Sequence, residues 1–356
     1  EFVKYKTPPK AGWSMVEEVV VYGKIGKEVK KGIEKGRIIG EAVNATRTLS
    51  NTPGGEMTPR VLAKAAREAA KNTNVLVRVL GLKEIQKLSM GGELGVAKGS
   101  SEEPQFIIAE YFGGAKKERP IVLVGKGVTF DTGGLNIKPG DSMNEMHMDM
   151  SGGAAVLLTV ILAAKLGLKK NVVALVPAVE NMPSGSSYRP GDILRTMSGK
   201  TIEVLNTDAE GRIILSDALT YAKKYRPRLV VDVATLAGAT MAALGQRASA
   251  IYTRDEKLEK LFRQLGEESG DYVWPLPLWD EYEEDIKGTF GDVINLGKTK
   301  HGGAITGAIF LYQFAKDYPW VHIDICPRMT SIEGDYLAKG AAGAPVRLLA
   351  KILEKI

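Results

Sequence analysis

The sequence of 356 residues contains a single cysteine and only three histidines. Cys326 cannot form an intramolecular disulfide, which agrees with a reducing compartment and excludes a cysteine-rich zinc module. The histidines, His147, His301 and His322, do not form the H-E-x-x-H pattern, so a mononuclear zinc protease of that type is disfavoured. We interpret His147, which stands between two methionines, as a packing residue or a residue behind the ligands rather than a ligand.

Long hydrophobic segments are also missing. The longest largely apolar run, Ala154 to Ala164, ends at Lys165 and is shorter than the ~18–20 residues that cross a bilayer. The first six residues include no initiator Met and no long apolar stretch, so we expect no secretory signal. We therefore expect a cytoplasmic protein that does not span a membrane.

Neither sign of charge dominates the sequence. Its 48 basic and 42 acidic residues give a net charge of +6. Because bases and acids alternate along stretches such as 257–268, this charge permits nucleic-acid contact but does not indicate it. The hydrophobic fraction of 44% and the charged fraction of 25% are ordinary for a globular protein, which excludes intrinsic disorder and fibrous repeats.

Short β-branched runs alternate with longer amphipathic stretches along most of the chain. The predicted strands are Val75–Leu80, Gln105–Tyr111, Ile121–Val124, Val172–Val176, Leu229–Val233 and Val321–Ile325. The predicted helices are Pro59–Lys71, Gly153–Leu166, Ser216–Lys224, Lys257–Glu267 and Ala304–Lys316. Strands separated by helices require crossover connections, so we predict an α/β fold with a mainly parallel central sheet and helices on both faces.

The first fifty residues have a different pattern. Val19–Tyr22 predicts a terminal strand, and Lys27–Leu49 predicts a long charged helix. The helix pattern ends at residues 51–55, a cluster of turn-forming residues. We interpret this helix as a linker that leads into the main domain.

A glycine-rich segment, residues 124–134, follows the predicted strand Ile121–Val124. Its four glycines let the backbone approach a ligand closely, and Lys126 and Asp131 lie just beyond the strand end, where ligands of α/β sheets bind. The phosphate-loop pattern G-x-x-x-x-G-K-[ST] is not matched, because Gly127 follows Lys126. Glycines required only for tight packing, with the lysine in solvent, remain the alternative.

Carboxylates occur at the starts of two predicted helices. Asp149 precedes one helix, and Asp208 and Glu210 precede another. Taken singly, each segment is explained by an N-cap. However, Asp208, Glu210 and Arg212 occupy every second position, and in an extended segment they would share one face. Four carboxylates could hold two divalent ions about 3.5–4 Å apart, an arrangement used for metal-assisted hydrolysis. They are those of Asp131, Asp149, Asp208 and Glu210.

Residues 206–212, Asn-Thr-Asp-Ala-Glu-Gly-Arg, match the signature of the leucyl aminopeptidase, or cytosol aminopeptidase, family. The Gly125–Lys138 segment, the Asp149 segment, residues 180–182 and residues 234–239 follow in the order found in that family. The sequence therefore resembles this family at several separated motifs.

This resemblance implies a metal-dependent aminopeptidase that hydrolyses the N-terminal residue, preferably Leu or another apolar one, from peptides through a metal-bridging water. It implies two divalent ions (zinc, manganese, magnesium or cobalt) and a bicarbonate ion as cofactors. The implied metal ligands are Lys126, Asp131, Asp149, Asp208 and Glu210. The implied catalytic pair is Lys138, which would stabilise the oxyanion, and Arg212, which would hold the bicarbonate.

The resemblance also suggests where the substrate side chain binds. It places Met146, Asn206, Thr235, Gly238 and Met329 near an apolar pocket. Cys326 stands where the family usually has a small residue, and Pro327 departs from the family's Ala-Gly pairing at these two positions.

The resemblance extends from about Asn51 to the C-terminus. We therefore interpret residues 51–356 as a two-metal catalytic domain, and residues 1–50 as the remnant of an N-terminal domain plus the linker helix. Members of this family assemble as homohexamers, so the resemblance implies a hexamer here. The alternatives are a DNA-binding accessory factor, which requires a basic stripe on the surface, a catalytically inactive homologue, and a metal-dependent phosphoesterase.

Overall fold

The computed structural model describes residues 2–13 and 16–356. Its helices are α1 (Lys27–Asn51), α2 (Pro59–Ala70), α3 (Leu82–Lys87), α4 (Gly91–Ala97), α5 (Ser151–Lys165), α6 (Glu210–Ala222), α7 (Gly238–Leu244), α8 (Glu256–Ser269), α9 (Gly303–Ala315) and α10 (Val346–Lys355). Its strands are β1 (Leu76–Leu80), β2 (Gln105–Phe112), β3 (Ile121–Gly125), β4 (Gly127–Asp131), β5 (Asn171–Asn181), β6 (Ile193–Arg195), β7 (Thr201–Glu203), β8 (Leu229–Ala234), β9 (Ser249–Tyr252), β10 (Val273–Pro275), β11 (Val293–Ile294) and β12 (Trp320–Asp324).

Nine of these strands form one sheet in the order β1-β2-β5-β3-β8-β12-β9-β10, with β4 paired to β5. The central neighbours β5, β3, β8 and β12 run parallel. Antiparallel pairs join β1 to β2, β2 to β5 and β12 to β9. The prediction of an α/β fold with a mainly parallel sheet is confirmed. A separate small sheet, β11-β7-β6, was not predicted.

Helices cover both faces of the sheet, as predicted. Along β3, Ile121 and Leu123 pack into the core formed with α2, α5, α8 and α10, whereas Val122 and Val124 pack into the core formed with α4, α6 and α9. Because successive side chains point to opposite faces, a strand buried on both faces is a continuous apolar run. This explains why the central strands were recognisable in the sequence.

Helix α5 is almost completely buried in the core. All but two of its residues, Ala164 and Lys165, are buried, and it is apolar on every side, as expected for a helix surrounded by protein. The segment Gly140–Lys165 is long and apolar enough to cross a membrane by length and composition alone, but 89% of its apolar window is buried inside the protein. That burial is typical of a core helix.

The N-terminal part agrees with one prediction and contradicts another. Helix α1 extends from Lys27 to Asn51, and its residues Ile38, Ala42 and Val43 pack against α5 and α10. The predicted strand Val19–Tyr22 is wrong, because these residues are exposed and form no strand. Their β-branched side chains favour an extended backbone, but a strand requires a hydrogen-bonded neighbour, and none of the described strands pairs with them. The division of the chain at residue 50 stays a prediction.

Candidate metal centre

The candidate ligands lie where parallel strands end and helices begin. Lys126 follows β3, Asp131 ends β4, and Glu210 is the first residue of α6. Asp149 lies two residues before α5. A Cβ at Gly211 would lie 2.7 Å from Lys126 Cε, so this glycine lets the lysine lie directly against α6.

Lys126, Asp149 and Glu210 form a buried cluster that we call the inner group. Lys126 Nζ lies 2.8 Å from Asp149 Oδ2 and 2.7 Å from Glu210 Oε1. It also donates to the carbonyl of Thr235 at 2.9 Å. No more than 5% of any of the three charged side chains is exposed, so their charges interact with little screening by water.

Lys138, Asp131 and Asp208 form a second cluster, the outer group. Lys138 Nζ lies 2.8 Å from Asp131 Oδ2 and 2.6 Å from Asp208 Oδ1. The Asp208 side chain is 32% exposed, so this cluster faces solvent. Asp131 is the anchored member, because its Oδ1 accepts hydrogen bonds from Gly133 N and from Asn181 Nδ2, both at 2.8 Å.

The two groups together hold four carboxylates and two lysines. Burial and the nearby Asp131 raise the pKa of Glu210 to about 8, even though Lys126 opposes the shift. Burial likewise raises the pKa of Asp149 to about 6. For Lys126, burial lowers the pKa, but the surrounding carboxylates outweigh it and the net shift is upward. The cluster thus has more carboxylates than cations and would be stabilised by further positive charge.

The carboxylate oxygens also have free lone pairs. Asp149 Oδ2, Asp208 Oδ1 and Glu210 Oε1 contact lysine nitrogens but accept no hydrogen bond of normal geometry from the described residues. One oxygen each from Asp131, Asp208 and Glu210 lies within 4.8 Å of the others, which suits a shared ion. This donor set fits divalent metal ions, because buried carboxylates with free lone pairs are metal ligands in many proteins.

The structure corrects two parts of the sequence reasoning. The segment from Asp208 to Arg212 is not extended, because α6 begins at Glu210. Glu210 and Arg212 lie two positions apart in a helix, about 200° around its axis, and so point in different directions. The N-cap alternative is also wrong, since the cap positions are Met150 and Ala209 and neither side chain caps its helix.

Arg212 lies beside the inner group rather than in it. Its Nη1 donates to the carbonyl of Asn295 at 3.0 Å, and its buried Nε has no partner among the described residues. Burial lowers the pKa of Arg212 to about 10, partly opposed by Glu210 and Asp324. The guanidinium therefore remains a cation at neutral pH with a free donor.

Two of the five predicted substrate residues contact candidate metal ligands. Thr235 Oγ1 donates to Asp149 Oδ1 at 2.5 Å, and Asn206 Oδ1 accepts from the backbone of Asp208 at 2.8 Å. Met146 is half-buried in a short turn before Asp149. Gly238 is exposed at the start of α7, which packs against the turn before the half-buried Met329.

A buried polar row behind the site was missed. Asp232 on β8 and His322 on β12 are paired in register, and His322 Nδ1 lies 2.5 Å from Asp232 Oδ1. The indole of Trp320 donates to Asp232 Oδ2 at 2.6 Å. On β12, Asp324 Oδ1 accepts a hydrogen bond from Leu236 N at 3.0 Å and so holds the loop that carries Thr235. The sequence did carry a signal for this row, because its members are polar residues within otherwise apolar strands.

His147 is half-buried and lies outside the carboxylate cluster.

The protein is an α/β protein with candidate metal ligands at the carboxyl ends of its central strands. A family model described as "Cytosol aminopeptidase family, catalytic domain" matches residues 44–350. Curated relatives named "Probable cytosol aminopeptidase" from Burkholderia mallei (strain SAVP1) and Burkholderia pseudomallei (strain 1710b) are each 47% identical over 99% of this chain and 70% of their own length.

Solved structures agree with these sequence matches. The bottromycin maturation enzyme BotP superposes with a TM-score of 0.91 at 34% identity, over 99% of this chain and 75% of that chain. A structure of BotP in complex with Mn gives the same TM-score and identity and covers 76% of that chain. The chain belongs to the cytosol aminopeptidase family. It is a leucyl aminopeptidase-type metalloexopeptidase, a hydrolase of peptides that depends on a dinuclear metal centre.

Proposed function

We propose that Lys126, Asp131, Asp149, Asp208 and Glu210 are the ligands of two divalent ions, and that Lys138 and Arg212 are the catalytic pair. The observation that carries this proposal is the pair of adjoining clusters in which four carboxylates surround two lysines. The lysine ammonium groups lie between the carboxylates. A lysine can act as a ligand only as the neutral amine, so Lys126 would give up its proton when metal binds.

Two bound divalent ions would acidify a bridging water, polarise the scissile carbonyl and bind the free α-amine of the substrate. The chain's own residues would perform the remaining tasks. Lys138 is only 13% exposed at the solvent-facing side of the site, where its ammonium can stabilise the developing oxyanion. Burial lowers the pKa of Lys138, but the surrounding carboxylates, Asp131 first, together outweigh it, so the net shift is upward and favours the ammonium form.

Arg212 would bind the proposed bicarbonate, which relays the proton. A guanidinium pKa of about 10 excludes this group as a base at neutral pH. Its free Nε supports anion binding, because a planar guanidinium holds a flat oxyanion through two parallel donors. The oxygen-rich donor set with one lysine suits zinc, manganese, magnesium or cobalt.

We propose that the side-chain pocket prefers Leu and other apolar residues. Met146 and Met329 are half-buried, so each retains exposed surface that can contact a substrate. Thr235 and Asn206, by contrast, use polar atoms to hold Asp149 and Asp208, so their main contribution is to position metal ligands. Cys326 is partly exposed nearby, and burial, followed by the charge of Asp324, raises the pKa of its thiol to about 12.

The chain is proposed to act in the cytoplasm and to assemble as a homohexamer. Support for the cytoplasmic location comes from the names of the relatives and from the single cysteine. The hexamer rests on the family resemblance alone. Sedimentation velocity on the purified chain tests it, and a stable monomer at micromolar concentration would contradict it.

The central proposal is tested by metal reconstitution on a panel of aminoacyl amides. We expect chelation to abolish hydrolysis of leucyl amide and divalent ions to restore it, with apolar residues cleaved fastest. N-acetylation of the best substrate should reduce turnover by orders of magnitude, because it removes the free amine. Full activity in a thoroughly metal-depleted sample, or equal rates on free and acetylated substrates, would contradict the proposal.

A further inference from the structure

A second charged region lies at the opposite end of the strands that carry Lys126 and Thr235. A cavity of about 670 Å³ opens beside the amino ends of β3 and β8. Its charged lining residues are Lys116, Lys117, Arg119, Lys224, Arg226 and the single acid Glu118. We call this cavity the basic concavity. Nothing in the peptidase reaction uses it.

One wall of the basic concavity is a loop held in a fixed conformation. The buried side chain of Asn171 donates to the carbonyls of Ala115 at 2.9 Å and of Glu118 at 2.8 Å. Its Oδ1 accepts from the backbone of Gly114 at 3.1 Å. This amide thus fixes residues 114–118, which carry or adjoin three of the cations. The loop is preorganised, so little ordering would be required for a ligand to bind.

The other wall is equally constrained. Tyr225 donates its hydroxyl to Glu110 at 2.7 Å, which fixes the tyrosine ring at the cavity. Arg226, the next residue, has a φ of +47°, a left-handed conformation that is uncommon for residues other than glycine. Such strain is often found at functional positions. Here it occurs in a residue that lines the basic concavity.

Within the described part of the chain, the five cations that line the cavity form no ion pair with an acid. The acid Glu118 is instead paired with Arg228, a cation beside the cavity, with Oε1 3.5 Å from Nη1. The pKa of Lys224 is lowered, first by burial and then by the charge of Arg78. A concave cluster of one sign focuses the electric field and concentrates ions of the opposite sign. The site therefore suits a ligand with several negative charges.

Aromatic side chains at the cavity indicate that the ligand also carries a ring. Phe112 lines the cavity and is 57% exposed, and Tyr225 lines it too. Exposed rings beside cations stack bases while the cations contact phosphates. The volume is typical of small-molecule sites, and the basic residues surround one concavity rather than forming the stripe that a nucleic-acid duplex needs. We propose that the basic concavity binds a nucleoside polyphosphate.

The proposal is tested by titrating the metal-loaded, assembled protein with ATP and with inorganic tripolyphosphate in a calorimeter. Metal content is measured before and after, so that chelation is recognised. Arg226→Gly removes one cation and relieves the left-handed backbone, so the variant should fold. Phe112→Ser removes the exposed ring. Lys260→Gln, which removes a cation from an exposed position on α8, is the matched control.

We expect ATP to bind saturably, Arg226→Gly to weaken ATP and tripolyphosphate about tenfold, and Lys260→Gln to change neither. Phe112→Ser should weaken ATP about tenfold and leave tripolyphosphate unchanged. All three variants should still hydrolyse leucyl amide, which verifies folding. No saturable binding, binding unaffected by Arg226→Gly, or tighter binding of a single-stranded oligonucleotide that the same variants abolish would overturn the proposal.

Discussion

Carboxylates are buried in two regions of this molecule, and the regions differ in what balances the charge. In the inner group, Asp149 and Glu210 share the ammonium of Lys126 at 2.8 and 2.7 Å. Where α4 meets α6, Glu93 and Asp217 are also fully buried. There, Asp217 accepts hydrogen bonds from backbone donors, and both carboxyl oxygens of Glu93 are without a partner in the described part of the chain.

The difference shows how a protein can bury acids for different purposes. Burial raises the pKa of Asp217 to about 7, and burial together with Asp217 raises that of Glu93 well above its usual range. The shift favours the protonated carboxyl of Glu93, whereas backbone donors partly oppose it at Asp217. At the candidate metal centre, lysines offset part of the same cost, and the remaining negative charge is available to metal ions.

The same substitution in both regions should give opposite results for activity. Glu210→Gln removes a proposed ligand, and we expect the rate on leucyl amide to fall about 10³-fold or more at saturating metal. Glu93→Gln should leave that rate within about twofold, because Glu93 does not contact the site. Steady-state kinetics with elemental analysis checks both variants. A similar loss in both would mean that the two regions do not have separate roles.

Removing the buried cation should strongly destabilise the metal-free protein. Lys126→Met leaves Asp149 and Glu210 without their cation, which typically costs about 3–5 kcal/mol for a buried pair. Lys138→Met should cost less, since its partner Asp208 is one-third exposed and its buried partner Asp131 keeps two other hydrogen-bond donors. Urea unfolding of chelator-treated protein measures both values. Equal costs would show that the inner and outer groups are equally shielded from water.

The two lysines should also differ in catalysis. Lys138→Ala removes a cation aimed at the oxyanion, and we expect kcat to fall about 10²–10³-fold with both metal ions still bound. Lys126→Ala should instead weaken metal binding, so excess metal restores part of its activity. Metal titrations of both variants provide the measurement. Rescue of Lys138→Ala alone would reverse the two assignments.

Glu93 should make the protein less stable as pH rises. A carboxyl whose pKa is higher in the folded state keeps its stabilising proton at low pH, and this contribution is lost as pH rises through the folded-state pKa. We therefore expect Glu93→Leu to raise the free energy of unfolding by about 1–3 kcal/mol at pH 8, with a smaller gain at pH 4. Glu93→Gln keeps a polar side chain that cannot ionise, so it distinguishes the effect of charge on stability from the effect of polarity. A gain that is the same at both pH values would exclude ionisation as the cause.

Sequence reasoning worked best where one residue pattern determines the structure. The central strands are long apolar runs, and the amphipathic pattern of α8 predicted its position to within two residues at each end. Strands β9 and β10 were missed, because four and three residues are too few to show a period. Val19–Tyr22 was predicted wrongly, since local preference cannot show whether a neighbouring strand is available.

The candidate site likewise has a part that the sequence predicted and a part that it did not. Lys126, Asp131, Asp149, Asp208 and Glu210 were found by their motifs, and the structure brings them together. The contact between Asp232 and His322 was not found, because it joins residues 90 positions apart through the register of two strands. Nor could the sequence show that Glu93 is buried without a partner, which depends on how α4 packs against α6.

The lysines of the candidate metal centre also bear on how the protein matures. In many small metalloproteins the ligands repel one another until the ion arrives, so folding and metal loading are a single event. Here Lys126 and Lys138 already hold the four carboxylates together, each within 2.8 Å. We therefore expect the chelator-treated chain to stay folded and to regain its activity when divalent ions are added back.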